Sequence, residues 1–358
     1  MNITFLIGNG FDISLGIKTS YADFYNWYYE QASNKSHIKD FKEHIFSQKG
    51  EYWSDFEAGL GKYTENFTVE TVNDFFECYS DAQSSLVEYA KRESEALDFE
   101  SYGDEDFKIL SENLLNYYGE LSPTERDVFK SIEEKAKREN IKYNFISFNY
   151  TNILDLFVEK LSKTPLRSYK DGSIHYATTV NPNVIHAHGF TYEYPILGVN
   201  DESQILNKDL LEVPYFKETV IKPFCVKAIG QSWHKKALQT IDNSQVICVL
   251  GMSLGATDTQ WWTMLLNWLK ANASRHIIIY WYTKNPPPKT LTYENLRLIG
   301  DVKGSLTNYC NFKESEIISI KERIHVVINT KNVLRLPIKQ MHKIHIDVSQ
   351  EEKAVTNK

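Results

Sequence analysis

Three things are scarce in this chain, and each scarcity removes a class of function. Only four cysteines occur in 358 residues, Cys78, Cys225, Cys248 and Cys310, and no two of them form a CxxC pair. That spacing builds neither a zinc knuckle nor a compact disulfide framework, and it fits reduced, buried thiols in a cytoplasmic protein. Positive charge is scarce as well: 40 Lys and Arg stand against 47 Asp and Glu, for a net charge of −7. An acidic chain offers no general footprint for nucleic acid, so no specific nucleic-acid partner is expected. Long apolar runs are missing too. The best candidate, from Ile277 to Tyr282, has the length of a buried strand and falls far short of the roughly 20 residues that cross a bilayer, so no membrane partner is expected. The opening MNITFLIGNGFD carries neither a basic region nor a small-residue cleavage site, and a signal peptide is not expected there.

What remains is the composition of a water-soluble globular protein, with 42% hydrophobic and 24% charged residues. The length allows one elaborated domain or two. Residues Ile3 to Ile7 form a short apolar run that stops at Gly8-Asn9-Gly10, as a buried parallel strand followed by a tight turn does. From Ser20 to Asn140 the apolar residues fall at helical spacing, as in Phe24, Tyr25 and Tyr28, then Val72, Phe75, Phe76 and Tyr79. One helix start is well marked, with Ser122 as N-cap, Pro123 in the first turn and Glu125 as capping-box partner. Further strands are expected at Tyr143 to Phe148, Val184 to Ala187, Ile196 to Gly198, Val246 to Leu250, Ile277 to Tyr282 and His325 to Asn329. Asn285-Pro286-Pro287-Pro288 reads as a loop and the residues from Gln350 as a frayed end. The fold class is therefore α/β, a Rossmann-like parallel sheet with a large helical insertion. Residues 1–20 and 141–335 form the core, 21–140 a helical insertion or lobe, and 336–358 a C-terminal extension.

Four polar or glycine-rich turns each close one of these strands. Gly8-Asn9-Gly10-Phe11-Asp12 has glycines that would let backbone N–H groups approach a pyrophosphate. The third glycine of GxGxxG is replaced by Ile13, which counts against an ordinary dehydrogenase. In Phe148-Asn149-Tyr150-Thr151-Asn152, Thr151 or Asn152 reads as a helix cap, whereas Asn149 sits at the strand end with an amide able to donate and accept. In His186-Ala187-His188-Gly189, strand alternation would put both histidines on one face. No third ligand is grouped with them, so no metal is expected and His188 is the candidate catalytic group. The segment from Leu250 to Asp258, with Gly251, Ser253 and Leu254, is either a turn capped by Thr257 or Asp258 or a second backbone cradle. Convergence of all four at one sheet edge would mark a binding site.

The order GNGFD, FNYTN, HAHG and GMSL resembles a sirtuin-like NAD-binding domain. Within that group the opening LIGNGFDISLGIKTSYADFY, the stretch Trp53-Ser54-Asp55-Phe56-Glu57, FNYTN and GMSLGATD are similar to the AbiH abortive-infection family of bacterial phage-defence proteins, over roughly residues 1–280. The resemblance implies that Asn149 holds the nicotinamide ribose and positions water, that His188 is the catalytic histidine, and that Gly8, Asn9, Gly10, Phe11, Asp12, Gly189, Gly251, Ser253 and Leu254 line a dinucleotide. Asp12 and Glu57 recur in the family pattern; their alternative roles are a helix cap and a solvated helix residue. Two departures stand out: no four-cysteine zinc module is present, and Asn152 holds a place that is acidic in sirtuins. The implied activity is hydrolysis of NAD+ to nicotinamide and ADP-ribose, with NAD+ as substrate and no metal. The alternatives are a non-hydrolytic sensor of NAD or an ADP-ribose derivative, an ADP-ribosyltransferase, and a structural partner in a defence complex. A toxic activity of this kind requires activation, for which homo-oligomerisation and a phage-derived component are the candidates.

Overall fold

The computed structural model of the chain describes residues 1–47, 56–189, 195–230, 232–288 and 290–339. The Trp53-Ser54-Asp55 part of the family pattern and the tail from Gln350 lie outside the described residues. The strands are β1 (Asn2–Ile7), β2 (Ile141–Ser147), β3 (Arg167–Asp171), β4 (Ile174–Val180), β5 (Ile185–His186), β6 (Val246–Leu250), β7 (His276–Trp281) and β8 (Ile324–Ile328). They form one sheet in the order β3-β4-β2-β1-β6-β7-β8, with β5 pairing the outer half of β2. Every pairing is parallel except the β3–β4 hairpin. The register of β1 runs from Asn2 opposite Lys142 to Ile7 opposite Ser147, and Ile7 also lies opposite Leu250. The carboxyl ends of β1, β2 and β6 are thereby level. Beyond β1 the connections run to opposite sides, toward β2 and toward β6.

Helices cover both faces, which is why the central strands read as continuous apolar runs. Ile3, Phe5 and Ile7 face a core completed by α1 (Gly10–Ser14), α6 (Asp104–Leu115), α7 (Pro123–Lys135) and α8 (Ile153–Ser162). Leu6 faces the other way, toward α11 (Ser232–Asp242), α12 (Thr259–Ala271), α13 (Thr292–Thr307) and α14 (Glu314–Lys321). The Ser122–Glu125 capping box starts α7 as expected. The remaining helices build a third core. In it α2 (Tyr21–Glu30), α3 (Ser36–Ser47), α4 (Phe56–Tyr63) and α5 (Val72–Glu95) pack with residues 197–221, which include α9 (Phe216–Val220) and lead into α10 (Lys222–Ile229). The helical stretch 21–140 is thus shared between two cores: its first part packs with 197–221 and its second part covers the sheet. Among the described residues no helix is long and apolar enough to cross a membrane.

Two strand expectations need correction, and one hairpin is added. Ile196 to Gly198 is not a strand: Ile196 N–H donates to the His188 carbonyl, and Gly198, at φ 149°, lies hard against the Val220 carbonyl. The strand expected from Val184 to Ala187 is reduced to Ile185–His186, because only Ile146 and Ser147 are left on β2 to pair with it. The β3–β4 hairpin is an addition. Its Asp171-Gly172 turn signal is present in the sequence, but the polar, exposed β3 has none of the apolar run of a core strand.

The loops after β1 and β6 are in backbone contact. Gly8 N–H donates to Leu250 O and Gly10 N–H to Gly251 O, both at 2.9 Å. A Cβ on Gly10 would lie 2.5 Å from Gly251 Cα, and one on Gly251, itself at φ 69°, 2.8 Å from Phe11 N. Gly172 also has a positive φ, 62°, but open space around it. Gly251→Ala is therefore expected to cost about 3 kcal/mol or more through strain plus overlap, and Gly172→Ala only about 1–2 kcal/mol through backbone conformation alone. Urea unfolding of the two variants checks the contrast; equal losses would remove loop-to-loop contact as the reason for the glycine.

Candidate functional site

The four turns converge. A cavity at the carboxyl ends of the strands is lined by Gly8, Asn9 and Asp12 after β1, by Phe148, Asn149, Tyr150 and Thr151 after β2, by His188 after β5, and by Gly251, Met252, Ser253, Thr257 and Asp258 after β6. The α2–α5 unit closes it with Tyr21, Phe24, Glu57 and Tyr89. Its volume is about 150 Å³, the size of a void that accepts one six-membered ring.

Asp12 lies inside α1 and is fully buried. It is not a helix cap: Asn9 holds that position, and Asn9 sends its amide to Thr19 O. The Asp12 carboxylate instead accepts from Thr151 Oγ1 at 2.6 Å and from Asn149 Nδ2 at 3.1 Å. Burial raises its pKa to about 7, against the opposing pull of those two hydrogen bonds and of His186. Thr151 and Asn152 do not cap α8 with their side chains. Asn152, the residue at the cap position, has φ −98° and ψ 13°, outside the extended geometry that lets a cap side chain reach back. With its Nδ2 on Asp12, Asn149 keeps a buried carbonyl oxygen, Oδ1, that has no hydrogen-bond partner.

His188 is buried against the edge of the Phe148 ring, with centroids 5.2 Å apart. Its Nε2 lies 3.1 Å from Asp258 Oδ1, out of line for a hydrogen bond. Burial, followed by the charge of Lys222, lowers its pKa, so the ring is neutral near pH 7. The two histidines have different partners, because the strand ends at His186 and alternation does not extend to His188. His186 Nε2 meets Asp155 at 3.0 Å, and only His188 lines the cavity.

Behind His188 sits a charged group with little sign in the sequence. The buried Lys222 ammonium donates to Glu57 Oε2 at 2.6 Å, Asp258 Oδ1 at 3.1 Å and Thr257 O at 3.2 Å. Glu57 is not a solvated helix residue; it is 4% exposed and also accepts from Gly198 N–H. Asp258 holds the position before α12 without capping it, since its φ of −117° and ψ of 19° are not extended and its carboxylate is committed to Lys222 and His188. Burial would by itself lower the Lys222 pKa, but the charges of Asp258 and Glu57 hold it well above the usual value. Asp258 is carried well below the carboxylate range by Lys222 and His188 despite its burial. Two carboxylates against one ammonium leave this wall with one net negative charge. The one hint of Lys222 in the sequence is a lysine set between Val220-Ile221 and Pro223-Phe224.

The other expected site residues lie around the cavity without lining it. Phe11 is a core residue, edge-on to Phe157 with centroids 5.8 Å apart. Gly10 backs onto Gly251, and the Leu254 carbonyl accepts from Tyr309 OH. Gly189, at φ 69°, does not line the cavity and precedes residues 190–194, which lie outside the described part. A possible metal-ligating group, His37, Asp74 and Glu77, joins α3 to α5. Glu77 is already shared between Lys35 and His37, and nothing places that group in the cavity.

A family model described as bacteriophage abortive infection AbiH matches residues 4–280, a span that contains every residue lining the cavity. No curated protein matches the chain.

Two outcomes follow from the charges. Lys222→Met leaves two buried carboxylates uncompensated and is expected to cost about 3–5 kcal/mol in a denaturant titration; a loss below about 1 kcal/mol would place the pair effectively in water. Asp12 keeps its proton longer in the folded chain than in the unfolded chain, so its contribution to stability is complete below about pH 4 and is lost as pH rises through 7. Asp12→Asn removes that loss. Its stability relative to wild type should climb between pH 4 and 8, by up to about 4 kcal/mol, and a Tm difference independent of pH would show that Asp12 is not perturbed.

Proposed function

The chain belongs to the bacteriophage abortive infection AbiH family, and from that premise we propose that it hydrolyses NAD+ at the nicotinamide–ribose bond during anti-phage defence. The observation that carries this reading is the unpartnered Asn149 Oδ1, buried on the cavity beside the Asp12 carboxyl. An orphan acceptor at that depth costs stability unless a ligand supplies a donor, and a ribose hydroxyl is such a donor. The strand sequence β4-β2-β1-β6-β7-β8 supports a sirtuin-like, Rossmann-type reading, because it has the pattern of doubly wound dinucleotide-binding sheets with the cavity at the point where the connections reverse.

The reaction consumes water and NAD+ and releases nicotinamide, ADP-ribose and a proton. Nicotinamide leaves as a neutral molecule from a cationic ring, so the protein must chiefly stabilise an oxocarbenium-like ribose and deliver water to it. The net negative wall formed by Glu57, Lys222 and Asp258 favours such a cation. Neutral His188 accepts the proton of the attacking water, and Asp258, 3.1 Å away, stabilises the imidazolium that results, as a carboxylate does in other His–Asp pairs. The side chains of Tyr21, Phe24 and Tyr89 line the cavity and give the pyridinium an aromatic wall. Asn149 orients the ribose, and Asp12, with a pKa near 7, holds Asn149 in place.

NAD+ consumption by purified protein, and in cells challenged with phage, tests the reading. Wild type should release nicotinamide and ADP-ribose, and folded Asn149→Ala and His188→Ala should each lose about 100-fold or more in rate. NAD+ left intact throughout a productive defence response would sink the hydrolase and leave a ligand-sensing or partner role in defence.

A further inference from the structure

The wall of the cavity carries several acceptors and three carboxyl groups. Asn149 offers an unpaired carbonyl oxygen, Asp12, Glu57 and Asp258 offer carboxyl groups, and Thr19 adds a buried hydroxyl without a partner. Most of the backbone donors at the start of the loop after β1 are occupied. The N–H groups of Gly8 and Gly10 are spent on Leu250 and Gly251, and that of Phe11 on Gly8. Among the described residues lining the cavity none is lysine or arginine. Lys222 lies behind the wall with donor bonds to Glu57, Asp258 and Thr257. The N-terminus of α12 opens with the Asp258 carboxylate, which repels an anion there. The cavity, about 150 Å³ and partly open to solvent, takes a ring or a sugar inside it and leaves the rest of a dinucleotide toward its mouth.

We infer that the site recognises its substrate through the ribose hydroxyls and the cationic base and leaves the phosphates outside, so that N-ribosylpyridinium compounds without a second nucleotide are substrates as well. This inference rests on the hydrolase reading and names the substrate class of that site. A ribose hydroxyl donates to Asn149 Oδ1 and another meets Thr19, while the positive base lies against the aromatic wall and the anionic excess. The phosphate and adenosine of NAD+ extend into solvent and contribute little to the differential binding that sets kcat/KM.

The test uses the full chain with nicotinamide riboside, NAD+ and ADP as probes, read by nicotinamide release and by thermal shift. The riboside should be cleaved with kcat/KM within about tenfold of that for NAD+ and should raise Tm, whereas ADP at equal concentration should not. Asn149→Ala should abolish the riboside shift. Thr19→Ala, which breaks no hydrogen bond in the folded chain, should weaken riboside binding by about tenfold with the unliganded Tm unchanged. Cleavage of NAD+ with no cleavage or binding of the riboside would overturn the inference and leave the hydrolase standing. Asn149-dependent riboside binding without cleavage of either compound would remove the hydrolase and with it the claim that these compounds are substrates, leaving a riboside-binding site. Stabilisation by ADP but not by the riboside, or by neither, would overturn it.

Discussion

The buried ammonium of Lys222 is the contact on which the site's arrangement depends. It ties Glu57 of the helical unit to Asp258 of the loop after β6, from its own place at the start of α10. Two carboxylates drawn to one buried cation cannot separate without exposing charge to a medium that solvates it poorly. The contact therefore fixes the distance between the helical unit and the sheet edge, and with it the width of the cavity. The same ammonium adds to the burial that keeps His188 neutral, and it keeps Asp258 ionised. Packing of the helical unit and the protonation state of the site are set by one group.

Asp12 has the opposite character. It is a buried carboxyl with hydrogen-bond donors but no cation in contact, and it remains protonated to much higher pH than an ordinary aspartate. The cavity thus holds two carboxyl environments a few residues from strand ends, one ionised throughout the physiological range and one poised within it. Such separation is costly to stability and characteristic of sites built for chemistry. Asn149 belongs to the Asp12 side, with its amide nitrogen committed to that carboxyl and its oxygen left unpartnered in the cavity wall.

How much of this was legible in the sequence depended on how local its cause was. β1, β6 and β7 could be read because each is covered on both faces and so is largely apolar at consecutive positions, and β2 and β8 because their remaining apolar residues sit between turn signals. The Ser122–Glu125 capping box could be read because all its partners lie within four residues. β3 could not, because a polar strand at a sheet edge carries no core signal. Asp12, Thr151 and Asp258 each looked like caps because an acidic or hydroxyl residue before a helix usually is one, and only the tertiary structure supplies the partners that take those side chains away. Lys222 was out of reach for the same reason: Glu57 is 165 residues distant and Asp258 is 36. The turns after the strands gave the site's location, and long-range ion pairs gave its chemistry.

The third core carries a consequence for how the chain comes into being. Residues 24–90 bury their aromatic faces against residues 197–221, which leave the ribosome on the order of a hundred residues later. At typical translation speeds that interval lasts roughly 5–20 s. During it Phe75, Tyr79 and their neighbours wait without their covering segment, while β1 and β2 can already pair. Because Lys222 emerges last of all its group except Asp258, the charged wall is assembled only after the aromatic one has a partner, so an incompletely made chain holds no finished site.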